Sequence, residues 1–212
     1  MAHLIDSQYK KYAEHRIAGK HNFISSFFLV YPFLRNKRVL DIGCSDGLYL
    51  KLFGPESIGI EQIPELVSKA KSFGLNVLHG NIISLLPKID SESLPAVFFS
   101  HVMEHLDSPI SSPREINRIL TRGGSLVLGL PTENNLFRSL FRKDYFDGTH
   151  LYSFSVKNTI KLLKDTGFIP VKVFYDLPKC RGSLGRAVIK LYQHFPFKEK
   201  ISMAYWVVAK KK

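Results

Sequence analysis

The sequence predicts an α/β fold, a mostly parallel sheet with helices on both faces, and three observations lead there. Short apolar segments suited to strands alternate with helix-period segments from Arg38 to Ala209. The first of these strands, Arg38 to Ile42, runs straight into a glycine turn, Gly43-Cys44-Ser45-Asp46-Gly47. An acid, Glu61, ends the second strand about twenty positions later, where such sheets place a ligand-binding carboxylate.

The elements follow in order. Residues 7–34 read as helical, with a charged stretch from Tyr9 to Lys20 leading into apolar Phe23 to Val30. Arg38 to Ile42 is a buried strand, and Leu48 to Phe53 should be the next helix. Ser57 to Glu61 is a strand, and Pro64 to Phe73 a helix whose opening proline lacks only an N–H that would have no partner there. Asn76 to His79 and Ala96 to Ser100 are strands. Ser112 to Thr121 is a helix expected to stop at Gly123-Gly124, before a strand from Ser125 to Leu130. Val156 to Thr166 is a helix closed by Gly167. Phe168 to Phe174 and Met203 to Ala209 are the last strands, and the connection between them allows an antiparallel return. The sum is a seven-stranded, mostly parallel sheet with one antiparallel strand. The long connections at 131–153 and 175–200 are the natural sites for a lid.

A chain of 212 residues is long enough for one domain with a sizeable core and short for two. We therefore expect a single domain over 1–212, with N-terminal helices over 1–35, a nucleotide-type half over 36–130 and a second half over 131–212. The formal net charge of +12 admits nucleic acid, an anionic membrane surface or an acidic ligand as partners, and selects none of them. The charge is concentrated late: Lys172 to Lys212 holds ten Lys or Arg against Asp176 and Glu199. Cys44 and Cys180 fit neither a zinc spacing nor a disulfide framework, so a reducing compartment is expected. The start of the chain has no signal-type apolar run, and Phe23 to Leu34 is too short to span a bilayer. A cytoplasmic setting with no transmembrane segment is expected.

In an open parallel sheet, ligands bind beyond the carboxyl ends of the strands, where strand order reverses. Gly43 and Gly47 permit a tight turn and close approach of a ligand to the backbone. The same residues also fit the Gly-x-Ser-x-Gly nucleophile elbow of hydrolases, but that elbow follows several strands and this one follows the first. A dinucleotide oxidoreductase would need the three-glycine spacing, which is absent.

Val39-Leu40-Asp41-Ile42-Gly43-Cys44-Ser45-Asp46-Gly47 resembles the first motif of class I S-adenosylmethionine-dependent methyltransferases, closest to the small-molecule, ubiquinone-pathway-like group. Glu61 matches the acid of their second strand, and Gly80-Asn81-Ile82 resembles the segment that flanks adenine. Phe98 to Leu106 resembles the fourth-strand motif, and Gly123-Gly124-Ser125-Leu126 the start of the fifth strand. The resemblance covers residues 36–170 and implies a Rossmann-like fold with S-adenosylmethionine as cofactor and S-adenosylhomocysteine as product. One departure is Ser45, where many members carry glycine. The resemblance places Asp41, Gly43, Cys44 and Gly47 at the methionine end, Glu61 and Gln62 at the ribose, and Asn81 and Ile82 at the adenine. Ser100, ending the fourth strand, joins the cofactor set.

Methyl transfer to a hydroxyl also needs a proton acceptor. His101, Glu104 and His105 lie just past the fourth strand, and in one helical turn they share a face. His150 could join them from the long connection. The pattern resembles the Glu-x-x-Glu-His of metal-dependent O-methyltransferases and small-RNA 2′-O-methyltransferases, with His101 in place of the first Glu. Glu104, His105 and His150 are therefore the catalytic candidates in a metal-free pocket. A divalent metal on His101, Glu104, His105 and His150 is the alternative. Asn134, Asn135 and Tyr145 are further pocket candidates, and Arg181-Gly182-Ser183-Leu184-Gly185-Arg186 reads as a basic loop suited to a phosphate or an anionic lipid head group. The expected activity is methylation of a small-molecule acceptor, at oxygen. The alternatives are an RNA methyltransferase and a non-catalytic cofactor-binding partner subunit.

Overall fold

The computed structural model describes residues 2–19, 24–132, 135, 150–177, 180 and 182–212. Its seven strands are β1 (Val39–Ile42), β2 (Ile58–Glu61), β3 (Val77–His79), β4 (Leu94–Ser100), β5 (Leu120–Pro131), β6 (Phe168–Tyr175) and β7 (Ala204–Lys211). They form one sheet in the order β3-β2-β1-β4-β5-β7-β6. Only β7 runs against its neighbours, pairing antiparallel with both β5 and β6. Strand order reverses between β1 and β4, which pair in parallel from Val39–Ala96 to Ile42–Phe99.

The alternating pattern of each strand builds a core on each face of the sheet. Leu40, Ile42, Val97, Phe99, Leu126 and Leu128 point to one face. There they meet Ile82 of α4 (Ile82–Leu85), Ile116 and Ile119 of α5 (Ser111–Ile119) and Leu163 of α6 (Val156–Asp165). Val39, Ala96, Phe98, Val127 and Trp206 point to the other face, against Phe27 and Val30 of α2 (Phe27–Val30). A third cluster joins Cys44 and Leu50 to Val67 and Ala70 of α3 (Pro64–Ser72). Trp206 is fully buried, stacks on Phe98 at 5.6 Å between ring centroids, and donates its indole N–H to Ser26 Oγ at 2.9 Å. Burial of each such large side chain stabilises the fold by about 1.5–3 kcal/mol.

Four local expectations are corrected. The helix expected over 7–34 is two pieces, α1 (Ala2–Ile17) and α2. The helix expected over Leu48 to Phe53 is a 3-10 turn, Leu50–Leu52. Fewer than a dozen residues separate the glycine turn from β2, and Gly54 N–H is tied back to Lys37 O at 2.8 Å, which stops the turn. The helix α5 ends at Ile119, and Gly123-Gly124 lies inside β5 as an irregularity where pairing with β4 jumps from Leu94–Leu120 to Ala96–Ser125. Gly123 takes φ +68°, and a Cβ on Gly124 would sit 2.7 Å from Thr121 O, so this bulge needs small residues. The stretch read as a basic loop is largely helical: α7 spans Gly182–Tyr192, followed by α8 (Lys198–Ile201). Among the described residues no helix is long and apolar enough to cross a membrane.

Candidate active site

A cavity of about 640 Å³ opens at the carboxyl ends of β1, β2 and β4, at the point where strand order reverses. Asp41, Gly43, Cys44, Glu61, Gln62, Asn81, Ile82 and Ser100 line it, as do Glu104, His105 and His150. Gly47 does not line it: a Cβ there would collide with Leu75 Cδ1, so Gly47 serves the packing of the turn at φ +79°.

The turn after β1 is built around Glu61. Gly43 and Cys44 donate their N–H groups to Ile60 O at 2.8 and 3.0 Å, which pins the turn to β2. Glu61 Oε2 accepts from Ser45 N–H at 2.9 Å, and Oε1 accepts from the N–H groups of Gln62 and Ile63 at 2.8 and 2.9 Å. Burial pushes the Glu61 carboxyl above its ordinary range, while these three donors and Arg16 pull it down. A carboxylate offers about four lone-pair sites, so Glu61, which lines the cavity, retains acceptor capacity on Oε2. Ser45 occupies φ +54°, which explains why glycine is common in its place in the family it resembles.

Gly43 takes φ +73°, and a Cβ on it would collide with Val102 Cγ2. Cys44 offers the cavity mainly its backbone, because its Sγ packs over Gly59. Asp41 is 2% exposed, and its Oδ2 has no hydrogen-bond partner among the described residues. Burial, then the neighbouring Glu61, pushes its carboxyl up to about 8 against the pull of Arg16. Asn81 is the N-cap of α4, its Oδ1 accepting from Ile83 N–H at 2.8 Å. That oxygen keeps one lone pair with which to meet an amine.

At the other end of the cavity, Met103–His105 form a 3-10 turn and His101 sits before it at φ +53°. Glu104 is fully buried between two imidazoles, its Oε1 lying 3.4 Å from His101 Nδ1 and 4.0 Å from His105 Nε2. Burial pushes the Glu104 carboxyl up, but His101 and His105 outweigh it and hold it below its ordinary range. The His105 and His150 rings meet edge to face at 4.8 Å. Backbone N–H groups of Leu151 and Tyr152 donate to Glu104 O at 2.9 and 3.2 Å, which brings His150 to this turn. Glu104, His105 and His150 place ligand atoms within 4.8 Å of one another, and His101 stands outside that set. The expected four-residue set is thus three converging groups, with His101 against the same Glu104 oxygen but outside that set.

Sequence reasoning missed several lining residues. Tyr12 and Arg16 reach the cavity from α1: Tyr12 O–H donates to Ser45 Oγ at 3.2 Å, and Arg16 pairs with Asp46. Lys69 closes the latch, 3.5 Å from Asp46 Oδ2 and donating to the α1 carbonyls of Arg16 and Ile17 at 2.7 and 3.0 Å. Asp176, just beyond β6, also lines the cavity and accepts from Ser26 N–H at 2.8 Å. Asn135 lines nothing there; its amide clamps Ser202 O at 2.8 Å. Asn134, Tyr145 and Arg181 lie outside the described residues.

A family model described as "Methyltransferase domain" matches residues 9–173. A tRNA U34 carboxymethyltransferase of Desulfotalea psychrophila is 29% identical over 163 residues, covering 69% of this chain and 50% of that protein, so the chain spans about half its length. The crystal structure of a SAM-dependent methyltransferase from Archaeoglobus fulgidus superposes with a TM-score of 0.69 at 22% identity, covering 89% of this chain and 93% of that one. A chain from the complex of the Haloferax volcanii Trm112 methyltransferase activator with a methyltransferase reaches 0.73 at 15% identity, covering 97% and 96%. The chain therefore belongs to the methyltransferase-domain family and has the fold of the class I S-adenosylmethionine-dependent methyltransferases.

Proposed function

We propose that the protein methylates a hydroxyl group of a small molecule, as one domain whose cofactor half spans 36–130. The carrying observation is the buried Glu104 lining the cavity, with the His101 and His105 imidazoles both against its Oε1. When bound, S-adenosylmethionine supplies an electrophilic methyl on a sulfonium with a neutral thioether as leaving group. The unpartnered Asp41 Oδ2 and the spare acceptor capacity of Glu61 fit that donor, with Gly43, Cys44 and Ser100 beside it. Gln62 would flank the ribose, and Asn81 and Ile82 the adenine. In this reading His105 or His150 takes the proton of the acceptor hydroxyl, and the ionised Glu104 stabilises the imidazolium that forms. The residues that line the cavity hold donor and acceptor in line.

Transfer of a labelled methyl group is to be measured with phenolic, sugar and lipid-linked acceptors. Glu104→Gln and the double variant His105→Ala/His150→Ala are each expected to lower kcat about 100-fold or more while leaving S-adenosylhomocysteine affinity within about twofold. An equal loss of product binding would move these residues out of the chemistry. No transfer to any acceptor would favour a non-catalytic partner subunit.

Two further readings rest on particular observations. The convergence of Glu104, His105 and His150 offers two imidazoles and a carboxylate, a set suited to zinc, manganese or iron more than magnesium. Turnover unaffected by EDTA, together with metal-free elemental analysis, removes it. The tRNA-directed relative and the charge of +12 favour an RNA acceptor, and tRNA binding that weakens steeply with salt would support it.

A further inference from the structure

The cavity wall is acidic although the chain is basic. Asp41, Glu61, Glu104, Asp107 and Asp176 line it, and among the described residues Arg16, already paired with Asp46, is the one Lys or Arg that does. Asp41 and Glu61 belong to the donor reading, Glu104 has two imidazoles against it, and Asp107 is exposed. Asp176 has no such role, yet it is only 6% exposed and is held in place. Its backbone N–H donates to Ala204 O at 2.9 Å, which ties it to the start of β7. Its Oδ1 accepts from Ser26 N–H at 2.8 Å. Ser26 Oγ accepts the indole N–H of the buried Trp206, so its own O–H is left to donate, and Asp176 receives it.

Both Ser26 donors are neutral. They fix the carboxylate without supplying the opposite charge that burial demands, and among the described residues no Lys or Arg pairs with Asp176. Burial accordingly pushes its carboxyl above the ordinary range, against the pull of Ser26 and of His101. A hydroxyl or amide in the cavity would add a further neutral donor, whereas a cation would supply the missing charge. The aromatic part of the wall agrees. Tyr49 and Phe98 line the same cavity with ring centroids 5.1 Å apart. Tyr49 Oη accepts from the N–H of Ile24 at 2.9 Å, which ties the ring to the segment that carries Ser26. Aromatic rings attract a cationic nitrogen over their faces. We propose that Asp176, with Tyr49 and Phe98, receives a protonated amine of the acceptor, so that the acceptor is a hydroxyl compound bearing an ammonium group. The inference rests on the small-molecule reading above and names its substrate class.

The test is a ligand-observed NMR titration of the full chain saturated with S-adenosylhomocysteine. Tyramine is set against para-propylphenol, which has a methyl in place of the ammonium, and against para-hydroxyphenylpropionate. Aminobutanol is set against pentanol in the same way. The cationic member of at least one set is expected to bind about tenfold or more tightly than its neutral counterpart, and the carboxylate more weakly than either. Asp176→Asn keeps the shape and an oxygen for Ser26 N–H. It is expected to bring the preference to within about twofold while S-adenosylhomocysteine affinity also stays within about twofold. Asp107→Asn removes a charge from the exposed part of the wall and should leave the preference in place. Cationic compounds that bind the wild type no better than neutral ones overturn the proposal, and so does a preference that survives Asp176→Asn. An equal loss of S-adenosylhomocysteine binding in that variant also overturns it, and assigns Asp176 to the ammonium of the donor. Ammonium preference without methyl transfer to any of these compounds would remove the methylation reading and leave the amine site standing. Transfer to para-propylphenol with no ammonium preference would do the reverse.

Discussion

At the scale of single residues, Asp41 makes the sharpest demand. Its carboxyl is raised to about 8 by burial and by Glu61, against an ordinary value near 3.9 in the unfolded chain. A carboxyl raised on folding contributes stability that is present below the unfolded value and lost as pH rises through the folded one. The ligand-free protein is therefore expected to lose unfolding free energy between pH 5 and pH 8, and the raised Glu61 adds in the same direction. Asp41→Asn should flatten that slope, measured by urea unfolding at both pH values. A wild-type slope that survives the substitution would assign it to other groups. The same variant is expected to bind S-adenosylhomocysteine about tenfold more weakly, a loss of roughly 1.4 kcal/mol. Asp41 was readable from the sequence because the motif around it has a fixed order. Asp176 was not, since a lone acid in a basic stretch carries no pattern, and only the return of β7 beside β6 brings it to the cavity.

At the scale of elements, the strands were legible because their buried residues form short apolar runs: six fall within two residues of where the sequence put them, and β5 begins five residues early, inside the expected helix. The connections were not. The turn after β1 depends on Glu61 accepting the N–H of Ser45 from the neighbouring strand end, a long-range fact invisible to local pattern. Gly43→Ala should show how tight that turn is: the positive φ and the collision with Val102 together are expected to cost about 2–3 kcal/mol. Val102→Ala added to it should recover the part due to the collision, and a fully additive pair would show that only the backbone is strained. The docking of α1 was equally hidden. Tyr12 and Arg16 read as ordinary polar positions on a charged helix, and their partners Ser45 and Asp46 are about thirty positions away. Arg16→Met removes the pair and leaves Asp46 to Lys69 alone. It is expected to weaken product binding about tenfold and to open α1 to limited proteolysis, because removing one partner of a half-buried pair exposes the other to an uncompensated cost. Unchanged proteolysis would mean that α1 is held by Tyr12 and Lys69 without it.

At the scale of the whole molecule, the sheet is a rigid frame and the cavity lies between elements far apart in sequence, from Tyr12 to Ala204. A ligand that fills such a cavity ties α1, the β1 turn, the α4 start and the Glu104 turn to one another, and it must stabilise all of them together. Binding to the folded state alone adds about 2.7 kcal/mol at a ligand concentration of 100 times Kd. For a chain of this size that corresponds to a rise in Tm of roughly 5–10 °C. S-adenosylhomocysteine is expected to produce such a shift in calorimetry, as one transition that moves without splitting. The cavity also separates the competing nucleotide readings. A dinucleotide needs glycine for close backbone approach along the pyrophosphate, whereas here Ser45 and Asp46 occupy the turn and engage Tyr12 and Arg16 of α1. NAD at the same multiple of its own dissociation constant should therefore be unattainable at millimolar concentration and leave Tm unmoved. A shift with NAD equal to that with S-adenosylhomocysteine would show that the turn accepts a pyrophosphate, and the methyl-donor assignment of Glu61 and Asn81 would fall with it.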